Sequence, residues 1–174
     1  MRTINFENIE YLKFGNQKQR QAFDTLTNHR VMDKLGAFDP LLTGTVPIAV
    51  DIEESDLDII CCSTNKKLFV DSLTKSFSSA KEFNLTEKTI NDNFTILAAF
   101  VLDSFRVEIF GQNRPTRDQE AYRHMLVEYR ILNERGEEFR REIIKQKRKG
   151  IKTEQAFASL LGIKGDPYVE LLRY

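Results

Sequence analysis

Several features that often reveal a function from composition are missing from this 174-residue chain. Its 26 Lys and Arg residues are balanced by 26 Asp and Glu residues, so the net charge favours neither a nucleic-acid binder nor an acidic tail. No apolar run approaches the roughly 18 residues of a membrane span, and residues 1–16 lack the apolar stretch of a secretory signal. The sequence therefore predicts a cytoplasmic protein with no membrane partner.

Cysteine is also scarce, because Cys61 and Cys62 are the only two. They are adjacent in an apolar stretch that predicts a strand, where their side chains point to opposite faces and do not easily bridge. We interpret them as small apolar residues of the core, in preference to a redox or metal-binding pair.

The first 114 residues show alternating helix and strand signals. The chain is long enough for one domain that buries roughly 70% of its unfolded surface. Helical spacing, apolar runs and turn residues predict the elements of an α/β (α+β) fold with a mixed sheet flanked by helices. They are a helix over residues 16–36, a short strand over 39–44, a loop over 46–55, a strand over 56–62, a helix over 65–79 and a hairpin over 94–111.

After Pro115 the pattern favours helices, over residues 121–134, 137–149 and 153–162 and in a short piece after Pro167. Thr116 and Gln119 have the spacing of a capping box. We therefore divide the chain into an α/β core, residues 1–114, and a C-terminal helical part, residues 115–174, that packs on it as one unit. The net charge of the two parts differs in sign. The core holds 13 basic and 16 acidic residues, whereas the helical part holds 13 basic and 10 acidic residues.

Two acids interrupt the predicted strand over residues 56–62. Side chains alternate along a strand, so Asp56 and Asp58 share one face, roughly 6.5 to 7 Å apart at Cα. Two carboxylates near an apolar sheet repel each other and lose hydration, so they need a cation, a shared proton or a solvated edge. Oxygen ligands favour Mg²⁺ or Mn²⁺ over Zn²⁺.

A third acid, Glu108, repeats the same pattern on a later predicted strand, between Val107 and Ile109. If the two strands are neighbours, three carboxylates surround one or two metal ions. Such ions stabilise the attacking and leaving oxygens of a phosphoryl or nucleotidyl transfer.

Gly44-Thr45, a spacer of ten residues, Asp56-Leu57-Asp58-Ile59 and the later Val107-Glu108-Ile109 resemble the active-site signature of the nucleotidyltransferase superfamily that includes DNA polymerase beta. The "SDLDI" form is typical of its small bacterial members. The whole chain, with "AYRHM" at 121–125 and "KTEQAFASLLG" at 152–162, is also similar to an uncharacterised bacterial family of about this length in that superfamily.

The resemblance implies a role for each residue of the signature. Asp56 and Asp58 would hold Mg²⁺ or Mn²⁺, and Glu108 would complete the set and help to deprotonate the acceptor hydroxyl. Gly44 and Thr45 would hold the phosphates of a nucleoside triphosphate. Thr45 departs from the usual Ser but keeps the hydroxyl.

Two further residues bear on this assignment. Ser55, which precedes the acid pair, is counted with the nucleotide-binding residues. Thr43 is less apolar than the signature prefers at the position before the glycine. The departures at Thr43 and Thr45 do not remove a metal ligand.

A rival acid pair, Asp51 and Glu53, flanks Ile52 in the same acid-apolar-acid pattern. Only five residues separate it from Thr45, fewer than the signature has, and no long apolar run follows it directly. We place these acids on a solvated loop, with repulsion of wrong anions or acceptor binding as alternatives.

A basic stripe is predicted on the C-terminal helices, where Arg141, Lys145, Arg148 and Lys152 recur at four, three and four residues. It faces phosphates or an RNA acceptor, or it is a solvated face that Gly150 interrupts. Lys145 and Lys152 are kept as candidate substrate contacts.

Arg123 and His124 are the remaining candidates for the cleft, with His124 as a base or phosphate contact. The alternative for His124 is a surface or capping histidine, and the same holds for His29.

Three functions remain possible at this stage. The first is a metal-dependent enzyme that transfers a nucleotidyl group from a nucleoside triphosphate to a small molecule, a protein or RNA. The second is a non-catalytic nucleotide-binding or regulatory module of the same fold, and the third is a structural interaction domain. The acceptor, the base preference and the oligomeric state stay open.

Overall fold

The computed structural model describes residues 4–90 and 93–174, which form a five-stranded sheet with helices on both faces. The strands are β1 (Leu41–Thr43), β2 (Leu57–Cys62), β3 (Lys81–Ile90), β4 (Asn93–Leu102) and β5 (Phe105–Gln112). The α-helices are α1 (Gln17–Asn28), α2 (Val31–Lys34), α3 (Lys66–Phe77), α4 (Glu120–Lys147), α5 (Thr153–Leu161) and α6 (Pro167–Glu170). No helix in these ranges is both long and apolar enough to cross a bilayer.

The strand order is β1-β2-β5-β4-β3. Strands β2 and β5 are parallel, whereas β1 with β2, β5 with β4 and β4 with β3 are antiparallel. The predicted mixed sheet flanked by helices is therefore confirmed. The parallel pair places β2, which carries Asp58, beside β5, which carries Glu108.

Each face of the sheet packs against a different set of helices. Leu57 and Ile59 of β2 point into a core cluster with side chains of α1 and α3. Ile60 points into a second cluster with Met125 of α4 and Phe157 of α5. Since side chains alternate along a strand, Asp58 shares its face with Ile60, below the C-terminal helices.

The N-terminal helix is shorter than predicted. Its start is as expected, because the Asn16 side chain accepts the Gln19 N–H at 2.8 Å and the Gln19 side chain accepts the Asn16 N–H at 2.9 Å. The helix ends at Asn28, since Arg30 takes a left-handed conformation with φ of 54°, and the short α2 follows. The prediction of one helix over 16–36 was wrong in this respect.

Strand β3 was missing from the sequence prediction. It lies at the edge of the sheet and pairs only with β4 among the described residues. Its sequence, KEFNLTEKTI, is rich in polar and charged residues. Charged side chains are common on edge strands because they oppose further strand pairing. They also leave β3 without the apolar alternation by which a strand is predicted from sequence.

The entry to the C-terminal helices differs from the predicted capping box. The Thr116 hydroxyl donates to Asp39 Oδ2 at 2.7 Å, and the Gln119 side chain donates at 3.0 Å to the carbonyl of Cys61 and at 3.0 Å to that of Arg114. Tertiary contacts thus replace local capping. Further along, α4 is interrupted at Gly136, whose φ of 80° and ψ of −169° separate the two predicted helical segments.

Candidate functional site

The sheet places the candidate acids Asp58 and Glu108 in one row across neighbouring strands, with Thr43 on the other side of Asp58. In the parallel pairing of β2 with β5, the Cα of Asp58 lies opposite that of Glu108. In the antiparallel pairing of β1 with β2, Asp58 lies opposite Thr43. Asp56 comes directly before β2. Register alone therefore brings together acids that are far apart in the sequence.

Burial and like charges raise the proton affinity of these acids. Burial raises the pKa of Asp58 to about 7, and the neighbouring charges of Glu108 and Asp56 push in the same direction. Burial also raises the pKa of Asp56, again with a contribution from Glu108. Because each carboxylate opposes the ionisation of its neighbour, a cation bound among them would relieve a real electrostatic cost.

Glu108 already has a partner in the structure. Nε of Arg106 donates to Oε1 of Glu108 at 3.0 Å, with the arginine side chain 50% exposed and the glutamate 21% exposed. Across residues 4–90 and 93–174, no three His, Cys, Asp or Glu side chains are arranged to hold one metal ion. The oxygen donors of the row have the chemistry that Mg²⁺ prefers, but the Glu108 carboxylate is turned to Arg106.

The glycine turn lies directly against the row. Gly44 follows β1 with φ of +79°, and a β-carbon there would be 2.4 Å from Oδ2 of Asp58. Both the left-handed backbone and the close approach require glycine. Thr45 and Ser55, assigned to nucleotide binding, contact each other: the Thr45 hydroxyl donates to Ser55 Oγ at 3.2 Å, and that oxygen also accepts the Ile52 N–H at 2.9 Å.

Cations outside the predicted site hold the loop that joins the glycine turn to the acids. Lys18 of α1, and Arg140 and Lys147 of α4, each donate to backbone carbonyls of this loop. The acceptors are Ile52 (2.6 Å) and Glu53 (2.8 Å) for Lys18, Ile48 and Ala49 for Arg140, and Val50 (2.9 Å) for Lys147. None of these three cations was predicted to contact the loop, because no local sequence spacing links them to it.

Lys147 is the most buried of these cations. Burial lowers its pKa to about 8, against the opposing charges of Glu128, Asp51, Glu154 and Asp58. Its charge in turn lowers the pKa of Asp58. Lys147, which belongs to α4, therefore offsets part of the repulsion that Asp58 experiences from the neighbouring acids.

The rival acids occupy this same loop. The Asp51 carboxylate accepts the side-chain amide of Asn16 at 3.1 Å. Glu53 is exposed and pairs with Arg148, whose Nη2 lies 2.8 Å from Oε1. Hydrogen bonding to Arg148 lowers the pKa of Glu53.

A cavity of about 420 Å³ lies between the row and the C-terminal helices. Gly44, Thr45 and Asp58 line it from the sheet, and Arg114 lines it beyond the end of β5. The opposite side, which we call the helix wall, includes polar and apolar residues of α4 and α5: Glu120, Ala121, His124, Met125, Glu128, Thr153 and Glu154. Asp56 and Glu108 are not among the residues that line the cavity.

His124 is a buried residue of this cavity, so the alternative of a surface histidine is wrong. It is 6% exposed, and within the described structure its Nδ1 has no hydrogen-bond partner. Burial lowers its pKa, opposed by the charges of Glu154 and Glu120. The His124 ring therefore lies in the wall of the cavity with its Nδ1 buried.

The other basic candidates do not reach the cavity. Arg123 is exposed, and Nζ of Lys145 pairs with Glu142 at 3.2 Å. Helix α4 ends at Lys147, and Gly150 has φ of +85° before Lys152, the residue that precedes α5. The predicted stripe is therefore not continuous as far as Lys152.

Comparison with protein-family profiles matches residues 24–174 to the family described as Domain of unknown function (DUF4269). A comparison with curated protein sequences found no match.

Three solved structures illustrate what this chain is similar to. The Cid1 poly(U) polymerase with MgGTP bound has a TM-score of 0.53 and 13% identity, over 79% of this chain and 47% of its own. A cytoplasmic RNA terminal U-transferase has a TM-score of 0.56 and 13% identity, over 90% and 54%. The GLD-2/RNP-8 complex has a TM-score of 0.54 and 12% identity, over 90% and 63%.

The chain thus spans between 47% and 63% of the length of these structures. At such low identity the likeness concerns the fold alone. The protein therefore has the fold of the nucleotidyltransferase superfamily, and since the family profile matches most of its length, it belongs to the DUF4269 family.

Proposed function

We propose that this protein transfers a nucleotidyl group from a nucleoside triphosphate to an acceptor, with Mg²⁺ or Mn²⁺ as cofactor. One observation supports this most strongly: a glycine turn in contact with the Asp58 carboxylate, at the edge of a cavity large enough for a small ligand. Ligand pockets typically have volumes of roughly 300 to 1,000 Å³.

Each residue of the site has a proposed task. Asp56 and Asp58 hold the metal ion, which when bound supplies positive charge to the phosphates and the leaving group. The Gly44-Thr45 turn and Arg114 receive the phosphates, since backbone N–H groups and a guanidinium are good phosphate donors.

In the transfer, an acceptor hydroxyl oxygen bonds to the α-phosphorus and pyrophosphate leaves with the electrons of the broken P–O bond. Glu108 takes the hydroxyl proton. Arg106 contacts only Oε1 of Glu108, so the proton goes to the other carboxylate oxygen.

A second candidate function is nucleotide binding without turnover. It is favoured by the 3.0 Å contact of Arg106 with Glu108, which gives the third acid a structural partner. The two functions differ in one respect: binding without turnover does not need the Glu108 carboxylate.

The experiment is a calorimetric titration with ATP, GTP, CTP and UTP, each with Mg²⁺ or Mn²⁺. The wild-type protein is compared with an Asp56→Ala, Asp58→Ala double variant and with an Asp51→Ala, Glu53→Ala control, which removes the same charge from the nearby loop. We expect metal-dependent binding in the wild type and the control but not in the Asp56/Asp58 variant. No binding in the wild type, or equal binding in all three, contradicts the proposal.

Turnover is tested with a Glu108→Gln variant and radiolabelled nucleotide. Loss of transfer with retained nucleotide binding supports the enzyme. Transfer that survives in Glu108→Gln or in Asp58→Asn contradicts the assigned roles.

A further inference from the structure

The connection between β5 and α4 carries a cation that lines the cavity. Among the described residues of the cavity wall, Arg114 is the only Arg or Lys. Asp58 lines the sheet side of the same cavity, and Glu120 and Glu154 belong to the helix wall. An Arg114 side chain that moved freely would be attracted to these carboxylates. Holding its position therefore favours phosphate as the partner of the guanidinium.

Gln119 holds the backbone from which the Arg114 side chain extends. Gln119 is 3% exposed, and its Nε2 donates at 3.0 Å to the carbonyl of Arg114 and at 3.0 Å to that of Cys61. Cys61 belongs to β2, so the amide ties the Arg114 backbone to the strand that carries Asp58. Both hydrogens of the side-chain amide are used in this way.

The position of Gln119 in the sequence shows that these contacts are tertiary. Gln119 is the N-cap residue of α4. Ser, Thr, Asp and Asn are preferred at an N-cap because their side chains accept N–H groups of the first turn. The Gln119 side chain makes no such bond. The start of α4 thus lacks a local side-chain cap, and the amide serves the connection that precedes the helix.

Other bonds hold the middle of the same connection. The Thr116 hydroxyl is fully buried and donates to Oδ2 of Asp39 at 2.7 Å. Nη1 of Arg117 donates to the same oxygen at 2.7 Å. In the described structure, Gln119 is the side chain that bonds to the carbonyl of Arg114. Loss of the Gln119 amide should therefore release Arg114 while the rest of the connection stays in place.

We propose that Gln119 is a positioning residue for phosphate binding. By holding the Arg114 carbonyl, it directs the guanidinium towards the phosphates of the bound nucleotide and away from the carboxylates of the cavity. This inference rests on the proposed function and adds to it a residue that acts through Arg114. Loss of the Gln119 amide should weaken phosphate binding only while Arg114 is present.

The test is a double-variant cycle with Gln119→Met and Arg114→Met. Methionine is close to glutamine in volume but has no N–H group to donate. Tripolyphosphate and ATP, each with Mg²⁺, are titrated by calorimetry into the wild type, the two single variants and the double variant. If thermal melts show that Gln119→Met is unfolded, Gln119→Asn takes its place, because its shorter amide cannot reach both carbonyls.

Thr25→Val is the matched control. It also removes a buried hydrogen bond, the one from the Thr25 hydroxyl to Asp103 at 2.7 Å, and neither residue lines the cavity. This variant should lose stability in the thermal melts and keep its affinity for both anions.

We expect Gln119→Met to lower both affinities by roughly fivefold or more when Arg114 is present, and by less than about twofold in the Arg114→Met background. A merely structural role for Gln119 predicts the same factor in both backgrounds. The inference is overturned by such equal factors, or if either single variant binds both anions like the wild type.

Failure of the proposed function gives a different result. If the wild type binds tripolyphosphate with the expected coupling but does not bind ATP, nucleotide transfer is contradicted and the positioning role stands. If ATP binds but the effects of the two substitutions are independent, only the positioning role is contradicted. If the wild type binds neither anion, both proposals are contradicted.

Discussion

Gly44 and Asp58 are in such close contact that a β-carbon on the glycine would lie 2.4 Å from Oδ2 of the aspartate. The turn and the acid therefore form one unit: the backbone that is proposed to hold phosphate also fixes one wall of the metal site. A single methyl group on Gly44 is therefore expected to disturb both the backbone of the turn and the Asp58 carboxylate.

Replacing Gly44 with Ala should accordingly reduce stability and nucleotide binding together. We expect a loss of about 1 to 3 kcal/mol in the free energy of unfolding, from the left-handed backbone and the displaced carboxylate. Metal-dependent nucleotide affinity should fall at least tenfold, as measured by calorimetry.

Gly150→Ala is the matched control. Gly150 also has positive φ, +85°, but a β-carbon added there would meet no other part of the described structure within 4 Å. It should lose stability through backbone strain alone and keep nucleotide binding. If Gly44→Ala binds nucleotide as tightly as Gly150→Ala, the turn does not contribute to the site.

Asp58→Asn should stabilise the metal-free protein at neutral pH. The folded-state pKa of Asp58 is raised from 3.8 to about 7, so between these values the folded state holds a proton that the unfolded state has lost. Wild-type stability therefore falls as pH rises from about 4 to 7. The variant lacks this contribution and should be more stable at pH 8 by about 2 to 4 kcal/mol, with little difference at pH 4.

Denaturant unfolding in the presence of EDTA at pH 4, 6 and 8 measures this difference. A gap between the two proteins that is constant with pH would show that Asp58 ionises normally in the folded state.

In the wild type, metal ions should remove the loss of stability that the ionised Asp58 causes at neutral pH. Binding of Mn²⁺ or Mg²⁺ to the folded state alone raises stability by about 2.7 kcal/mol at a metal concentration 100 times Kd. Because Asp58 must lose its proton, the metal should bind more tightly at pH 8 than at pH 6. Thermal melts at both pH values, with the Asp56→Ala, Asp58→Ala variant as reference, check this; equal shifts in the two proteins would place the metal elsewhere.

Arg106→Gln should strengthen metal binding if Glu108 is a ligand. The substitution removes the partner that holds the Glu108 carboxylate at 3.0 Å, so the acid becomes free for the ion. We expect Mn²⁺ affinity to rise several-fold in a calorimetric titration. Arg148→Gln, which breaks the comparable exposed pair with Glu53, is the control and should have no effect. Unchanged affinity in Arg106→Gln would remove Glu108 from the ligand set.

The elements that were predictable from the sequence are those with local signals. The Asn16 cap, the strand at residues 57–62, the interruption of the long helix at Gly136 and the mixed sheet all follow from capping residues, alternation and glycine. Strand β3 was missed because its polar sequence reflects its position at the edge. Thr116 was misread because its hydroxyl bonds to the distant Asp39.

At the candidate site, the sequence signature identified the residues that belong to it. It could not identify residues whose position depends on how distant helices pack. The signature led to Gly44, Asp58 and Glu108, and the structure places them together. Glu128 and Lys147 look like solvated helix residues in the sequence, and only the packing of α4 on the sheet buries them. The same packing of α4 on the sheet buries His124.

The parallel pairing of β2 with β5 also has a consequence for the order of folding. Strands β3, β4 and β5 are sequential neighbours, so their pairing closes short loops and can form early. Asp58 and Glu108 are 50 positions apart (108 − 58) and meet only when β2 docks on this meander. We expect this docking, and with it the repulsion between the two acids, to follow the main barrier, so that Asp58→Asn slows unfolding and leaves the refolding rate almost unchanged.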